Sequence, residues 1–342
     1  MIRISVIILN WNGKHFLEKF LPSVVKHSSL PDVEIVVADN GSTDDSVEFL
    51  ENQYPKITLL KFDRNFGFAE GYNKAVQQIE SEYYILLNSD VEVTGSWIHP
   101  IIELMDSDKK IAACMPKIRD FNNRKSFEYA GASGGFIDRY GYTFCRGRIF
   151  NIIEEDHGQY NDPQEVFWAS GASLFIRADA FHQAGGLDEK FFAHMEEIDL
   201  CWRLKNRGFR IFSSGQSVVY HVGGGALPMN HPRKTYLNFR NNLYLLYKNL
   251  PAQHFKRTML NRLLLDIIAA VKFLFSLEFR NFLSVFRAHI SFFSSLHRLK
   301  PDRQENLKKA VTFQHPETYP SSVVIDFFIR NKKRFSDLSW SD

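Results

Sequence analysis

The side chains best suited to chemistry sit where apolar runs stop. Tyr83-Tyr84-Ile85-Leu86-Leu87 ends abruptly in Asn88-Ser89-Asp90. A buried strand reads this way, its carboxyl end delivering the Asp90 carboxylate to an open cleft. Three earlier apolar runs end alike, in Asn10 and Asn12, in Asp39 and Asn40, and in Arg64 and Asn65. Each alone reads as an Asx-type turn. Four polar strand ends in register read better as a pocket for a nucleotide. A second concentration follows Gly185-Gly186, where Glu196, Glu197 and Asp199 crowd the first turn of a predicted helix. The helix dipole favours acids there by about 0.3–1 kcal/mol each. That accounts for one or two acids comfortably and for three, behind an aromatic-rich loop, less well. His221 follows a later apolar run; read alone, such a histidine is more often a hydrogen-bonded packing residue.

The elements that must position these residues follow from periodicity. Residues 4–9, 33–38, 57–62 and 83–87 are short apolar, strand-like runs, and residues 14–27, 43–53 and 69–80 have helical spacing. Ser42 with Asp45 reads as a capping box opening the helix at 43–53. Strands alternating with helices imply a parallel sheet with right-handed crossovers. The dinucleotide fingerprint G-x-G-x-x-G is missing after the first strand, and no G-x-x-x-x-G-K-[ST] occurs. Residues 111–167, rich in glycine, read as short strands and loops. Trp168-Ala169-Ser170-Gly171 reads as a small-residue turn entering a strand, and the acid-headed helix is expected to end near Gly208.

Three stretches together carry a resemblance: Ile7-Ile8-Leu9-Asn10-Trp11-Asn12, Val37-Ala38-Asp39-Asn40-Gly41-Ser42-Thr43-Asp44 and Leu86-Leu87-Asn88-Ser89-Asp90. They resemble the family 2 glycosyltransferases of the GT-A fold, above all the rhamnosyltransferase-like branch, over roughly residues 3–250. The resemblance implies an α/β fold with a Rossmann-like, mostly parallel sheet flanked by helices. It implies an inverting, metal-dependent transfer of a sugar from a nucleoside-diphosphate sugar (dTDP-rhamnose or a UDP-sugar) to a glycan or lipid-linked glycan. Asp39 would contact the donor's base and Asn10 would line its pocket, with Asn12, Asn65 and Ser89 nearby. Asn88 and Asp90 would correspond to the family's D-x-D motif, with asparagine in place of the first aspartate. Asp90 and His221 would then hold Mg²⁺ or Mn²⁺, and Gly223, Gly224 and Gly225 would let backbone approach the phosphates. Gly171 would lie beneath the diphosphate and sugar. Glu197 aligns with the base that takes the acceptor's proton, and Asp199 stands in reserve. Arg240 and Lys234 would meet the leaving diphosphate or an anionic acceptor, a solvated basic face being the equal alternative.

The expected organisation is a nucleotide-sugar half at 1–100, an acceptor-side half carrying the base at 101–228, and a helical, amphipathic extension at 229–342. The extension is distinct in composition: of 31 phenylalanines 13 follow residue 229, and residues 230–342 carry 19 Lys/Arg against 8 Asp/Glu. Within it, polar residues from Arg262 to Arg298 recur at near-helical spacing and leave a wide Leu/Ile/Phe face. Charges interrupt it too often for a membrane span. Two readings remain for residues 255–300: helices packed on the body, or helices in a membrane interface, which the excess of Phe and cations favours. Three cysteines without metal-type spacing, and no secretory leader, suggest a cytoplasmic protein, peripheral at the inner face of the plasma membrane. Rival readings are a catalytically silent sugar-nucleotide-binding or membrane scaffold protein and a nucleotidyltransferase. The last normally has a basic glycine-rich loop after strand one, where this chain has Asn10-Trp11-Asn12-Gly13-Lys14. No nucleic-acid partner is expected, since the basic charge lies on an amphipathic tail without a recognition signature.

Overall fold

A computed structural model describes residues 2–223 and 231–340. The chain opens with β1 (Ile4–Asn10), α1 (Lys14–Ser28), β2 (Val33–Asp39), α2 (Ser46–Gln53), β3 (Thr58–Lys61), α3 (Gly67–Val76) and β4 (Tyr83–Asn88). It continues through β5 (Val91–Val93), α4 (His99–Ser107), β6 (Ile111–Asp120), β7 (Gly135–Asp138), β8 (Thr143–Cys145), β9 (Arg148–Ile149), β10 (Ile152–Ile153) and β11 (Gln164–Glu165). Then follow β12 (Ser173–Arg177), α5 (Ala178–Ala184), α6 (Glu196–Asn206), β13 (Arg210–His221), α7 (Pro232–Asn249), α8 (Ala252–Phe275), α9 (Phe279–Lys309), β14 (Thr318–Tyr319) and α10 (Val323–Phe328).

β1 pairs in parallel with β2 and β4, and β2 with β3. Val6, Ile7, Val36, Val37, Ile85 and Leu87 are wholly buried, as strands covered by helices on both faces must be. Register sets Asn10 opposite Asp39 and Leu9 opposite Asn88, so the polar strand ends gather along one edge. Beyond β4 the sheet becomes mixed. β12 runs antiparallel to both β4 and β6, β13 runs parallel to β6, and β5 adds antiparallel to β13. The parallel pairing expected from the sequence thus covers the first four strands and recurs between β6 and β13, within a sheet that is mixed as a whole. Residues 111–167 likewise contain more order than expected: β6 is a ten-residue strand of the main sheet. A five-stranded second sheet, in the order β10-β9-β8-β7-β14, joins this region to the C-terminal part of the chain.

The capping box does not form. α2 starts at Ser46, and Ser42 instead accepts hydrogen bonds from the backbone N–H of Asn12 at 2.9 Å and from Asn10 Nδ2 at 3.2 Å. Ser42 is occupied in tying the end of β1 to the end of β2.

Candidate active site

The strand ends knit into one polar edge. Asn10, fully buried, donates from Nδ2 to Asp39 at 3.0 Å, and its own Oδ1 has no partner. The second oxygen of Asp39 accepts from the Ser42 N–H at 2.9 Å. Asn12 turns the chain at φ 49° and accepts from the Thr43 N–H at 2.7 Å. Asn65 accepts from Asn40 Nδ2 at 3.1 Å and from the Gly67 N–H at 2.7 Å, which shapes the entry to α3. Asn10, Asn12, Asp39 and Asn65 are thus members of one hydrogen-bonded rim, and Asn40 links its two halves.

Asp90 and His221 meet across the β5–β13 pairing. His221 Nε2 lies 3.1 Å from Asp90 Oδ1 and 3.5 Å from Asn88 Nδ2. Behind the ring, His221 Nδ1 lies 3.4 Å from Glu128 Oε1. All three charged side chains are nearly buried. Burial opposes a charge on His221, yet Glu128 and Asp90 together push its imidazolium up to about 10. Burial likewise pushes Asp90 up, but His221 more than offsets it and holds the carboxyl below its usual range. Two carboxylates around one imidazole make a pocket that favours a positive occupant. Among the described residues no group of three or more His, Cys, Asp and Glu can hold a metal unaided. Asp90 and His221 do fit as two ligands of a shell completed by substrate oxygens, with Glu128 at ion-pair distance from the far ring nitrogen. Sequence reasoning missed Glu128. It lies in the irregular segment before β7, and its only local signal is a carboxylate beside aromatic Phe127 and Tyr129.

The acid pair is reached through Gly171. The Asn88 N–H donates to the carbonyl of Ala172 at 3.0 Å, which holds the 170–172 turn against the end of β4. A methyl group on Gly171 would lie 3.7 Å from Cβ and Cγ of Glu197 and 3.5 Å from Phe68. These are ordinary van der Waals distances, so the 170–172 turn packs directly against Glu197 and Phe68. Glu196 Oε2, Glu197 Oε2 and the neighbouring His194 Nε2 are all buried without a hydrogen-bond partner. Unpartnered buried polar atoms are costly and rare, and they gather where a substrate is to supply the partner. Burial pushes Glu197 up to about 7, and Glu196, buried and repelled by Glu197, well above the usual range. Burial, reinforced by Lys234, pushes His194 down to about 4.

The backbone delivering this pair is strained. Phe192, His194 and Met195 adopt φ of 68°, 69° and 74°, a left-handed region that side chains other than glycine disfavour. Asn241 of α7 holds the loop there, donating from Nδ2 to the carbonyls of Phe191, Ala193 and His194 at 3.0, 2.8 and 2.7 Å.

Two expected site residues are otherwise engaged. Asp199 is fully buried between Arg203 Nε at 2.7 Å, Lys248 Nζ at 2.9 Å and Asn249 Nδ2 at 2.8 Å. Burial pushes its carboxyl up, but Lys248 and Arg203 outweigh that and hold it at about 2. It fastens α6 to α7 and does not offer the free carboxylate that a reserve base needs. Arg240 donates to Asn241 and to the carbonyl of Phe191 at 2.8 Å, so its guanidinium braces the loop beside the site. Lys234 lies nearer the metal-type pocket, its ammonium 5.9 Å from the ring centre of Tyr129. Ser89 is half-buried at the end of β4. Gly224 and Gly225 lie outside the described residues.

Known proteins share this chain's sequence pattern and fold. The chain is 26% identical over 237 residues to N-acetylglucosaminyl-diphospho-decaprenol L-rhamnosyltransferase of Mycobacterium tuberculosis, covering 64% of this chain and 76% of that protein. Among solved structures it is similar to Staphylococcus aureus TarS 1-349 in complex with UDP-GlcNAc, with a TM-score of 0.58, 15% identity and 90% of each chain covered. It is also similar to GalNAc-T7 with UDP, GalNAc and Mn²⁺, with a TM-score of 0.56 and 16% identity over 72% of this chain and 48% of that one, about half its length. These neighbours are GT-A glycosyltransferases, and the present chain has their α/β fold with a helical C-terminal part. The glycosyl transferase family 2 model matches residues 5–185, more than half of the chain. The chain belongs to glycosyl transferase family 2.

Proposed function

We propose that this glycosyltransferase is inverting and metal-dependent, and that it moves a sugar, rhamnose in our reading, from a nucleoside-diphosphate sugar to a hydroxyl of a lipid-linked glycan. The observation that carries the proposal is the buried, partnerless Oε2 of Glu197, whose side chain packs against Gly171 in the turn hydrogen-bonded to Asn88. In this reading the rim formed by Asn10, Asn12, Asp39 and Asn65 receives the nucleoside, and Asn88, Ser89 and Gly171 border the diphosphate and sugar. Glu197 takes the proton of the acceptor hydroxyl as its oxygen bonds to the anomeric carbon. The bond from that carbon to the diphosphate breaks, and the nucleoside diphosphate leaves with the electron pair. A single displacement inverts the anomeric centre and needs one base and no enzymic nucleophile. Asp90 and His221 would hold Mg²⁺ or Mn²⁺, which when bound neutralises charge growing on the leaving diphosphate. Lys234 lies close enough to the same pocket to add positive charge.

The rhamnosyl group and the lipid-linked acceptor rest on the named mycobacterial relative, an L-rhamnosyltransferase; dTDP-rhamnose is the donor in our reading, with a UDP-sugar as the alternative. With such an acceptor the enzyme works at a membrane surface, which in our reading is the cytoplasmic face. The test is a thermal-shift series with nucleoside-diphosphate sugars, with and without Mn²⁺. A ligand at a hundredfold excess over Kd stabilises by about 2.7 kcal/mol. One donor is expected to raise Tm only with the metal, and Asp90→Ala is expected to abolish the rise. A wild-type chain unmoved by every sugar nucleotide would overturn the proposal.

Glu128 gives an independent check on the metal. Carboxylates that orient a ligating histidine are typically worth about 10–100-fold in metal affinity. Glu128→Ala is therefore expected to raise the Mn²⁺ concentration for half-maximal donor binding by that factor, and Glu128→Gln, which keeps an acceptor, by less. Unchanged Mn²⁺ demand in both variants would remove His221 from the metal.

A further inference from the structure

The helical hairpin formed by α8 and α9 buries an unusual share of polar side chains. Its inward face mixes them with apolar Met259, Val285, Phe292 and Leu299. Arg262, nearly buried, donates to Asp266 at 2.7 Å and to Asn242 of α7, and its guanidinium lies 3.9 Å from the ring centre of Tyr142. Asp266, fully buried, also accepts from Tyr142 at 3.2 Å and lies 3.2 Å from His289 of α9. Ser291 and Ser295 of α9 meet the hydroxyls of Tyr236 and Tyr244 at 2.9 and 2.7 Å. The outward face is apolar. Leu260, Leu264 and Ile268 of α8 are 61%, 52% and 63% exposed, and Leu283, Ile290 and Phe293 of α9 are 56%, 70% and 53% exposed. The turn between the helices carries Phe275, Leu277 and Phe279 at 84%, 75% and 55% exposure, with Leu277 held at φ 60°.

Water is a poor solvent for such a face, and an exposed apolar patch of this extent marks an interaction surface. The charge around it selects the partner. Lys256, Arg257, Lys272, Arg280, Arg287 and Arg298 are all exposed on the hairpin, and Arg280, Arg287 and Arg298 share one line of α9 beside its apolar stripe. On residues 255–300 the acids are Asp266, consumed inside, and Glu278. A second copy would bring the same cations against these, whereas an anionic surface would be attracted along the whole hairpin. No helix among the described residues is long and apolar enough to cross a membrane.

We propose that the α8–α9 hairpin docks on an anionic lipid bilayer, lying in its interface with the apolar face and the tip at residues 275–279 entering the acyl boundary while the arginine line meets the headgroups. This goes beyond the sugar-transfer reading and does not depend on it, since vesicle binding and donor binding are measured separately.

The test is flotation of the full chain with vesicles of phosphatidylcholine and of mixed phosphatidylcholine and phosphatidylglycerol. Each cation at an anionic surface contributes about fivefold, so mixed vesicles are expected to bind at least about tenfold more tightly, with the gain lost in high salt. Phe275→Glu combined with Leu277→Glu is expected to weaken binding by about tenfold or more without moving Tm, because both side chains already face water. The proposal is overturned by a chain that floats with neither vesicle, by binding indifferent to lipid charge, or by a double variant that binds as the parent does. Sedimentation showing a dimer that the same double variant dissociates would also overturn it, assigning the face to a second copy.

Discussion

Glu197→Gln is expected to lower kcat by about 10²–10⁴-fold, the usual worth of a positioned general base, while the metal-dependent shift of Tm by the donor persists. Glutamine keeps the shape at the head of α6 and cannot accept the proton. The pH profile carries a second signature. Burial pushes Glu197 up to about 7, so the ionised, proton-accepting form builds up only as pH rises through that value. The rate is expected to rise with pH on that limb in the parent and to lose the limb in the variant. Stability moves the other way. A carboxyl whose folded pKa lies above its unfolded one binds more protons in the folded state, and stability falls as pH climbs from about 4.5 through about 7. Glu197→Gln should therefore melt higher than the parent above pH 7, a trade of stability for activity typical of catalytic sites. Parent-like turnover in Glu197→Gln would remove the proposed base.

Asp199→Ala is expected to destabilise the fold by about 3–5 kcal/mol, the range for removing one partner from a buried ion pair. Lys248 and Arg203 would be left nearly buried without the carboxylate they share. Urea unfolding gives the magnitude, and Asp199→Asn separates charge from hydrogen bonding. The acid side has a sign too. Asp199 is held at about 2, below its unfolded value, so its contribution is complete above the unfolded pKa and is lost as pH falls through about 2. If Asp199 were the base, Asp199→Asn would abolish turnover with little change in unfolding free energy. That pattern would reverse the assignments of Glu197 and Asp199.

The first ninety residues were legible because strands covered on both faces must be continuously apolar, and their ends must turn polar where they reach the cleft. Asn10, Asp39, Asn88 and Asp90 announce themselves by that contrast. The later site was less legible. Glu197 and Asp199 lie two positions apart, and on a helix that separation points them to different surroundings. Nothing local says that Lys248, 49 residues on, neutralises Asp199, or that Glu128 stands behind His221. Ser42 illustrates the same limit: its spacing to Asp45 suits a cap, but an asparagine 32 residues earlier competes for it and wins. The polar stripe of the C-terminal helices was visible as a period, while its inward direction depends on Tyr142 and Asn242, which periodicity cannot see.

α7 serves two clients from one rod. Asn241 pins the strained loop ahead of Glu196, and Lys248 and Asn249 clasp Asp199 on α6, while Asn242 and Tyr244 hold α8 and α9. Sliding α7 by a single helical turn would uncouple both sets at once. Chimeras that exchange C-terminal helices between relatives must therefore keep α7 with the acid-bearing loop it supports. A junction placed between His221 and Pro232 would graft the new hairpin but leave the base without its matched brace.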